Sequence, residues 1–423
     1  MKAAAKLVWI LAGCGSLAAG LGAEPVRTLA GGPGVSGPQD GVGTVARFAD
    51  PAGVAIDPAG NILIADSGNH CIRRLTPSGI VSTLAGMAGS PGVTDGAAGM
   101  ARFDTPSALA VTPDGTVFIS DTGNHTIRRI DPAGRVFTLA GMAGTSGAID
   151  GSPTVARFNS PLGLAIARDG ALLVADSGNH AIRRIDSKGT ATTFAGNLEG
   201  WGAVDGPATA ARFNGPVGLA FDAAGNLFVA DSLNHSIRRI TADGSVTTFA
   251  GKPGEDGFAD GPGTDARFGS PAELALDRRG NLYVADAFYH TVRKISPSGF
   301  VSTVSGLAGA DGNADGTYAN ARFFNPYGLV VTPAGSLVLT DTYNELIREV
   351  IAPFSLFVRA TVKGSPVIQW ESVPGQRYQV VFRDHLDTSW SPLGSAVTAT
   401  GDTTEVRDSA PAGTRFFQVN RLP

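Results

Sequence analysis

The sequence predicts an all-β protein, a six-bladed β-propeller of four-stranded blades closed by an N-terminal strand and followed by a small β-sandwich. Three observations carry this prediction. An Arg-Phe pair recurs at a constant interval of 55 residues in six copies, from Arg47-Phe48 to Arg322-Phe323. Each copy consists of short, β-branched runs that end in turn residues, without helical periodicity. Finally, the last copy lacks its fourth run, and a run of that type precedes the first copy.

The second copy illustrates how a blade follows from the sequence. Its four runs occupy residues 106–112, 116–121, 126–131 and 135–141, and Gly, Pro, Asn or Asp residues separate them. Such residues mark tight turns, so the runs are predicted to form an antiparallel meander. The second run of most copies is apolar nearly throughout, which indicates a sheet covered on both faces. Blades stacked around an axis provide that cover.

The position of the fourth run decides between a closed ring and an open array. The run VRTLAG at residues 26–31 resembles the fourth runs of later copies, such as VSTLAG at residues 81–86. The last copy ends with IREVIAPF at residues 347–354 and has no fourth run of its own. We therefore expect the first run to complete the last blade, because this closure removes free sheet edges without capping repeats.

The repeated phrase resembles the NHL repeat, as in GNLFVADSLNHSIRRI at residues 225–240. The resemblance recurs in all six copies and extends from residue 26 to about residue 352. It implies a six-bladed NHL β-propeller of the bacterial exported branch. The long inserts between blades contain Asp-Gly and Ala-Arg-Phe.

The first residues resemble an export signal, with Lys2 and Lys6 before an apolar stretch and small residues before Glu24. We expect a signal peptide at residues 1–23 and an exported protein that is periplasmic, on the outer surface or secreted. An alternative is lipidation of Cys14, because Leu-Ala-Gly-Cys at this position resembles a bacterial lipobox and would anchor a lipoprotein. No later segment reaches the roughly 20 apolar residues of a transmembrane helix.

The predicted domains after the signal peptide are the propeller at residues 24–354 and a second unit at residues 355–423. The repeat stops at Ser355, and several short strands follow, with Trp370 and Tyr378 available for a core. These phrases are similar to the small fibronectin type III-like sandwich found at the end of many bacterial exported proteins.

The charge of the chain argues against a nucleic-acid partner. The formal net charge is −4 and the pI is about 5.9, whereas nucleic-acid binding depends on Lys and Arg that neutralise phosphates. Relatives of the family in animals use a basic propeller face for RNA, but an acidic exported chain does not fit that role. We expect a monomer without a cofactor.

One turn phrase per copy contains residues that could bind a metal. A ring of imidazoles around one axis could hold an ion, and the resemblance implies this too, since the propeller of the peptidylglycine amidating lyase holds a metal with histidines. The alternative that we favour is structural, because Asp and Asn in such turns bond the backbone. The sixth copy has Glu345 in place of histidine. The repeated residues are Asp66, His70, Asp121, His125, Asp176, His180, Asp231, His235, Asp286, His290 and Asp341.

Two further charged sets recur in the inserts and the third strands. Asp40 and its equivalents stand seven residues before the Arg of each Arg-Phe pair, which suggests an ion pair or a backbone clamp that orders the insert. Calcium binding is the alternative, although one carboxylate per loop is few for that cation. The paired basic residues of the third strand, such as Arg73-Arg74, are expected to pair between blades.

These observations favour a non-catalytic binding or scaffold propeller that recognises a protein, peptide or glycan. No nucleophile elbow, zinc-protease motif or phosphate loop is present, so no catalytic residue is predicted. Inserts and second-to-third turns should share one face of the disc, and this face has ligand-anchoring aromatic candidates in blades five and six: Phe288, Tyr289 and Tyr343. The alternative is an enzyme of the lyase or lactonase type with a metal in the central channel.

Overall fold

The structure is a computed structural model that describes residues 26–198 and 200–351 and parts of the chain beyond them. Those parts are residues 356–360, 366–372, 377–383, 389, 391–400, 403–407 and 416–421. The expected signal peptide and Cys14 lie outside the described residues. Within the described ranges, no helix is both long enough and apolar enough to span a bilayer.

Six antiparallel sheets follow one another between residues 26 and 351, one for each copy of the repeat. The first strands are Pro51–Ile56, Pro106–Val111, Pro161–Ile166, Pro216–Phe221, Pro271–Leu276 and Pro326–Val331. The second strands are Ile62–Asp66, Val117–Asp121, Leu172–Asp176, Leu227–Asp231, Leu282–Asp286 and Leu337–Asp341. The third strands are Cys71–Leu75, Thr126–Ile130, Ala181–Ile185, Ser236–Ile240, Thr291–Ile295 and Leu346–Val350. The fourth strands are Ile80–Ala85, Arg135–Ala140, Ala191–Ala195, Ser245–Gly251, Val301–Ser305 and, in the last blade, Val26–Gly31.

The N-terminal strand closes the ring, as the sequence predicts. Val26 lies opposite Val350 and Gly31 lies opposite Leu346 in the sixth sheet. The first strands of neighbouring blades pack against each other all the way round, including the last blade against the first. The first strands therefore surround the axis of the disc, and the predicted all-β propeller with four-stranded blades is confirmed.

Apolar layers between the blades explain the continuous hydrophobic runs. The layer between blades one and two, for example, joins Leu63 and Ala65 of one blade to Leu109 and Ile119 of the next. The Phe of each Arg-Phe pair fills the same layer and is fully buried in all six blades. Burying an aromatic or aliphatic side chain contributes roughly 1.5–3 kcal/mol, so each seam is held mainly by this packing.

The inserts run over the outer edge of the disc. Near their start, inserts contact the second-to-third turn of the preceding blade, where the N–H of Gly89, for example, donates to the carbonyl oxygen of Asn69 at 2.9 Å. Each insert then pairs with the fourth strand of the following blade. Short strands form this pairing at Gly41–Val42, Gly96–Ala97 and Gly206–Pro207, and single bridges form it at Gly151, Gly261 and Gly316.

The expectation that the inserts lie on one face is therefore wrong in part. In the first insert, the N–H of Gly43 donates to the carbonyl oxygen of Gly79 in a third-to-fourth turn, on the opposite face. The physical reason is that the fourth strand is the outer edge of its blade, and an unpaired edge exposes its backbone polar groups. Only the two ends of each insert remain beside the second-to-third turns, and we call this surface the insert face.

Two small sheets make up the described part of the C-terminal unit. One contains Leu356–Ala360, Pro366–Glu371 and Thr403–Arg407, and the other contains Arg377–Arg383, Ser391–Pro392, Val397–Thr398 and Phe416–Arg421. A buried cluster of Ile368, Trp370, Tyr378, Val380 and Val419 includes residues of both sheets. Shared burial of this kind is the arrangement of a small β-sandwich.

Candidate functional site

The second-to-third turn of each blade is built around a buried aspartate. In blade one, Asp66 accepts hydrogen bonds from Ala49 N at 2.7 Å, Asn69 Nδ2 at 2.8 Å and Arg73 Nη1 at 2.7 Å. Burial raises the pKa of Asp66 to about 6, although these donors favour its charged form. Five of the six turns are single 3₁₀ turns: Ser67–Asn69, Thr122–Asn124, Ser177–Asn179, Ser232–Asn234 and Thr342–Asn344.

The residue that ends each turn links two blades. It adopts a left-handed backbone conformation, with φ of 56° at His70 and 60° at Glu345. In five of the six blades its side chain accepts the backbone N–H of a residue just before the first strand of the next blade. The acceptor and donor pairs are His70 and Thr105, His125 and Ser160, His180 and Gly215, His290 and Asn325, and Glu345 and Asp50.

This geometry separates the histidines instead of gathering them. Each Nδ1 in those pairs is occupied by its own blade seam, and Nδ1 of His235 faces the carbonyl oxygen of Gly269. Among the described residues, no three His, Cys, Asp or Glu side chains lie close enough to hold a metal ion. Burial lowers the pKa of His180, in keeping with a neutral imidazole that accepts a hydrogen bond.

The charged residues of the inserts do order the inserts, but not by pairing with each other. Asp40 binds Arg73 of the third strand at 2.7 Å and accepts the N–H of Thr83 in the fourth strand at 3.3 Å. Arg47 instead donates to the carbonyl oxygens of residues 44, 45 and 46 at 2.6–3.0 Å. The expected pairing of third-strand arginines between blades is likewise wrong, since Arg73 pairs with Asp66 of its own blade and with the insert on that blade's outer edge.

Each first arginine of the third strand is a buried centre of its blade. Arg73 bonds two carboxylates and two backbone carbonyl oxygens, at residues 39 and 47. Its guanidinium carbon lies 5.3 Å from the centre of the Phe48 ring. The other five blades repeat this pattern with Arg128, Arg183, Arg238, Arg293 and Arg348.

Blade five departs from the repeated turn. Tyr289 takes the place of the asparagine that bonds the buried aspartate in the other blades. The Arg293–Asp286 ion pair is 3.5 Å long, whereas the equivalent pairs are 2.6–2.8 Å long. Ala287 also replaces the hydroxyl residue that, as Ser67 or Thr122, donates to the next blade. Asp286 instead accepts the backbone N–H groups of Gly269 and Ser270 at 3.0–3.2 Å, so blade five holds its buried aspartate with a different set of donors.

The aromatic residues proposed from the sequence lie in a larger surface cluster on the insert face. The aromatic patch consists of Phe258, Phe288, Tyr289, Phe324 and Tyr343. Ring centres are 5.7 Å apart for Phe258 and Tyr289, 5.2 Å for Phe288 and Tyr289, and 5.1 Å for Phe324 and Tyr343. His290 connects the two groups through its ring contact with Phe324 at 5.5 Å.

One repeat position divides the ring into two halves. Blades one to three have Gly68, Gly123 and Gly178 at the second residue of the turn. Blades four to six have Leu233, Phe288 and Tyr343, which are 58%, 61% and 55% exposed. Sequence reasoning found Phe288 and Tyr343 but missed Leu233. Aligning the six copies reveals that the large side chains at this position occupy three consecutive blades.

A second group of unlike residues lies near the axis of the disc. Val217, Ala272 and Ala287 form an apolar cluster, with Leu162 and Tyr327 packed against it. Glu273 follows Ala272 in the first strand of blade five and is partly buried. Burial raises its pKa to about 7, and burial together with Glu273 raises the pKa of Tyr327. Sequence reasoning missed this pair, although both residues break the pattern of their repeat positions.

The fold is a β-propeller, and its repeats are similar to the NHL repeat. The sequence pattern of the NHL repeat matches residues 48–75, 103–130, 158–185 and 213–240, in blades one to four. NHL repeat-containing protein 2 of Bos taurus is 28% identical over 336 residues, which cover 70% of this chain and 46% of that protein. The match therefore spans about half the length of this relative.

Solved structures share the fold. A protein of unknown function from Bacteroides thetaiotaomicron superposes with a TM-score of 0.61 at 22% identity, covering 77% of this chain and 74% of that one. An auxiliary nutrient binding protein from the same organism superposes with a TM-score of 0.58 at 17% identity, covering 77% and 75%. At these identities the similarity describes the architecture.

Proposed function

We propose that this protein is an exported, non-catalytic binding or scaffold propeller that recognises a protein, peptide or glycan through the insert face of blades four to six. The carrying observation is the division of the ring at one turn position, with glycine in three blades and exposed Leu233, Phe288 and Tyr343 in the other three. Exposed aromatic side chains arranged in one patch are typical of anchors for a ligand.

The repeat itself supports this proposal. Blades one to three show that the turn folds with glycine, so the large side chains of blades four to six are not needed to form it. Blade five also carries a lengthened ion pair beside Phe288 and Tyr289. Exposed apolar surface lowers stability, and proteins retain it where it serves a function.

The remaining parts of the proposal rest on the sequence. Residues 1–23 act as the signal peptide, with lipidation at Cys14 as the alternative, residues 24–354 form the propeller, and residues 355–423 form a fibronectin type III-like unit. One structural neighbour is named a nutrient binding protein, which supports a binding role for this architecture. An enzyme with a metal in its channel has less support, since no metal-binding cluster exists among the described residues.

The test is a binding screen of the native chain followed by substitution of the patch. The chain is applied to a glycan array and to a displayed peptide library, and the selected ligand is titrated against Phe288→Ala, Tyr289→Ala and Tyr343→Ala. Because hot-spot truncations typically cost about 2 kcal/mol or more, we expect at least one variant to bind more than about tenfold less tightly. The melting temperature of each variant checks that the ring remains folded.

The control uses exposed apolar residues at the opposite face. Ile80 and Phe300 follow third-to-fourth turns and are about half exposed. Ile80→Ala and Phe300→Ala should leave the affinity unchanged. Suppose instead that Ile80→Ala or Phe300→Ala lowers the affinity and the patch variants bind as tightly as the native chain. The binding surface would then lie on the other face, and the proposal would be refuted.

A further inference from the structure

A second repeat position on the insert face divides the ring in the same way as the second residue of the turn. In all six inserts a glycine N–H donates to the carbonyl oxygen of the buried Phe of the Arg-Phe pair, at 3.0–3.2 Å. The residue before this glycine is small and uncharged in blades one to three, and it is large or acidic in blades four to six. In blade order these residues are Ser36, Pro91, Ser146, Trp201, Asp256 and Asp311. Trp201 is 67% exposed, and both aspartates are exposed.

Contacts of the fifth insert place Asp256 between the turns of blades four and five. The N–H of Gly254 donates to the carbonyl oxygen of Asn234, in the turn of blade four, at 3.2 Å. The ring centre of Phe258 lies 5.7 Å from that of Tyr289, in the turn of blade five. Asp256 stands midway in the sequence between the two residues that make these contacts. It therefore lies where the insert crosses from one turn to the next.

The sixth insert places Asp311 between the turns of blades five and six. The N–H of Gly309 donates to the carbonyl oxygen of Tyr289 in blade five at 3.4 Å. The carbonyl oxygen of Gly312, the residue after Asp311, accepts Nδ2 of Asn344 in blade six at 2.6 Å. Exposed side chains of the turns therefore alternate with carboxylates around this half of the ring. We call these residues the alternating set, and in order they are Leu233, Asp256, Phe288, Asp311 and Tyr343.

The two carboxylates of the alternating set have no cation bound to them. Among the described residues, neither Asp256 nor Asp311 forms an ion pair. The cations of these two inserts are bonded elsewhere. Lys252 and Arg267 both bond Glu255, and Arg322 donates to the carbonyl oxygens of residues 319 and 321. The surface therefore presents free negative charge beside exposed aromatic rings.

We propose that the alternating set recognises a polypeptide segment in which lysine or arginine side chains stand between apolar ones. The carboxylates complement the cations. The rings of Phe288 and Tyr343 attract cations over their faces and pack against the carbon chains of such residues. A neutral glycan, in contrast, would leave both carboxylates without a charge partner. The inference rests on the proposed function, because it names the ligand class of the same surface.

The probe is a peptide that presents cations and aromatic rings in alternation. Side chains two residues apart lie on the same side of an extended chain. Three copies of Lys-Gly-Phe-Gly, acetylated and amidated at the ends, therefore place Lys and Phe alternately on one side. Three matched peptides replace each Lys with Gln, each Lys with Glu, or each Phe with Ser, and each changes one property of the probe.

Binding of each peptide to the full chain is measured by fluorescence anisotropy at low and at high salt. We expect the Lys-Phe peptide to bind saturably and at least about tenfold more tightly than the Gln and Glu peptides, because only its charges complement the surface. The Ser peptide should also bind less tightly, since it lacks the apolar contacts. High salt should weaken binding of the Lys-Phe peptide, because ions screen exposed charges.

Substitutions then locate the binding surface. The double variant Asp256→Asn/Asp311→Asn should bind the Lys-Phe peptide about fivefold less tightly at low salt, as expected for the loss of exposed ion pairs. Phe288→Gly and Tyr343→Gly restore the residue of blades one to three, so they test the aromatic contacts in a turn that folds, and each should also lower the affinity.

The matched control is Asp265→Asn. Asp265 is an exposed residue of the fifth insert, and it lies near the outer edge, where Gly261 pairs with Val301. The substitution removes the same charge from the same insert at a distance from the turns, and it should leave the affinity unchanged.

Three results would overturn this inference: no saturable binding of the Lys-Phe peptide, equal affinity for the Gln, Glu or Ser peptide, or an equal loss of affinity in Asp265→Asn and the double variant. A neutral glycan from the array that binds less tightly to Phe288→Ala, and equally well to the double variant, would overturn it and leave the proposed function intact. The proposed function itself fails by a different result, in which a selected ligand binds undiminished to Phe288→Ala, Tyr289→Ala and Tyr343→Ala.

Discussion

At the scale of single residues, the most repeated chemistry of this chain is structural. The buried arginine of each third strand joins the second strand, the insert and the buried Phe through charge-assisted bonds. Buried ion pairs of this kind add little net stability compared with an apolar replacement, but removing one partner leaves a buried charge uncompensated. The first residue of each paired basic set is therefore used inside its own blade.

A pair of adjacent arginines tests this assignment. Arg183 is buried and bonds Asp176 at 2.7 Å and Asp150 at 2.6 Å. Its neighbour Arg184 is partly exposed and bonds the exposed Asp169 at 2.7 Å. We expect Arg183→Met to lower the free energy of unfolding by about 3–5 kcal/mol, because Asp176 stays buried without its cation. Denaturant titration provides the measurement.

The control for this prediction is Arg184→Met, which breaks a solvent-exposed pair and should change the unfolding midpoint little. If both substitutions have the same small effect, the buried arginine does not hold the blade together and the assignment is wrong.

The missed residues of the candidate site show where residue-level reasoning from the sequence ends. Glu273 and Tyr327 do break their repeat positions, so comparing the copies could have singled them out. Their proximity could not be inferred, since it depends on how neighbouring first strands pack around the axis. For the same reason the sequence left open an ion pair between Asp40 and Arg47 or a backbone clamp. Asp40 pairs with Arg73, and Arg47 clamps the backbone of its own insert.

At the scale of secondary-structure elements, the N-terminal strand is the element that closes the ring of blades. Val26–Gly31 completes the sixth sheet, and Val26 and Ala30 are fully buried. The strand also bonds the sixth insert through Val26 and Gly316 at 3.0 Å. It therefore holds both the last blade and the insert that covers this blade's outer edge.

Removal of this strand should open the ring. A chain that starts at residue 32 is compared with a chain that starts at residue 24, and thermal unfolding is followed by circular dichroism. We expect the shorter chain to melt several degrees lower, since it loses the burial of Val26 and Ala30 and exposes the edge of the sixth blade. Equal melting temperatures for the two chains would show that the ring does not depend on this strand.

The inserts show which element-level features the sequence could and could not predict. Their interval and their charged residues were evident, and turn chemistry correctly located the strands that they connect. Their path over the outer edge was missed because the pairing of Gly41–Val42 with the fourth strand involves only two residues, one of them a glycine of weak β-propensity. Edge protection, not local preference, explains that pairing.

At the scale of the whole molecule, a nearly symmetric scaffold carries an asymmetric surface. Strict repetition made the architecture predictable. All six copies predict the same four-stranded blade, and the displaced first strand predicts how the ring closes. The proposed function depends on the copies that differ, and differences occur together in blades four to six: Leu233 and the aromatic patch on the insert face, and Glu273 with Tyr327 in the first strands. Whether such residues lie close together in space depends on how the closed ring places its blades.

The most direct test of this account is a hydrogen–deuterium exchange footprint of the native chain with the ligand selected from the array or the peptide library. Contacts on the insert face of blades four to six should slow exchange in residues 231–235, 255–260, 286–290, 322–326 and 341–345, with little change elsewhere. Protection confined to the first-to-second and third-to-fourth turns, such as residues 57–60 and 76–79, or spread evenly over all six blades, would contradict the account.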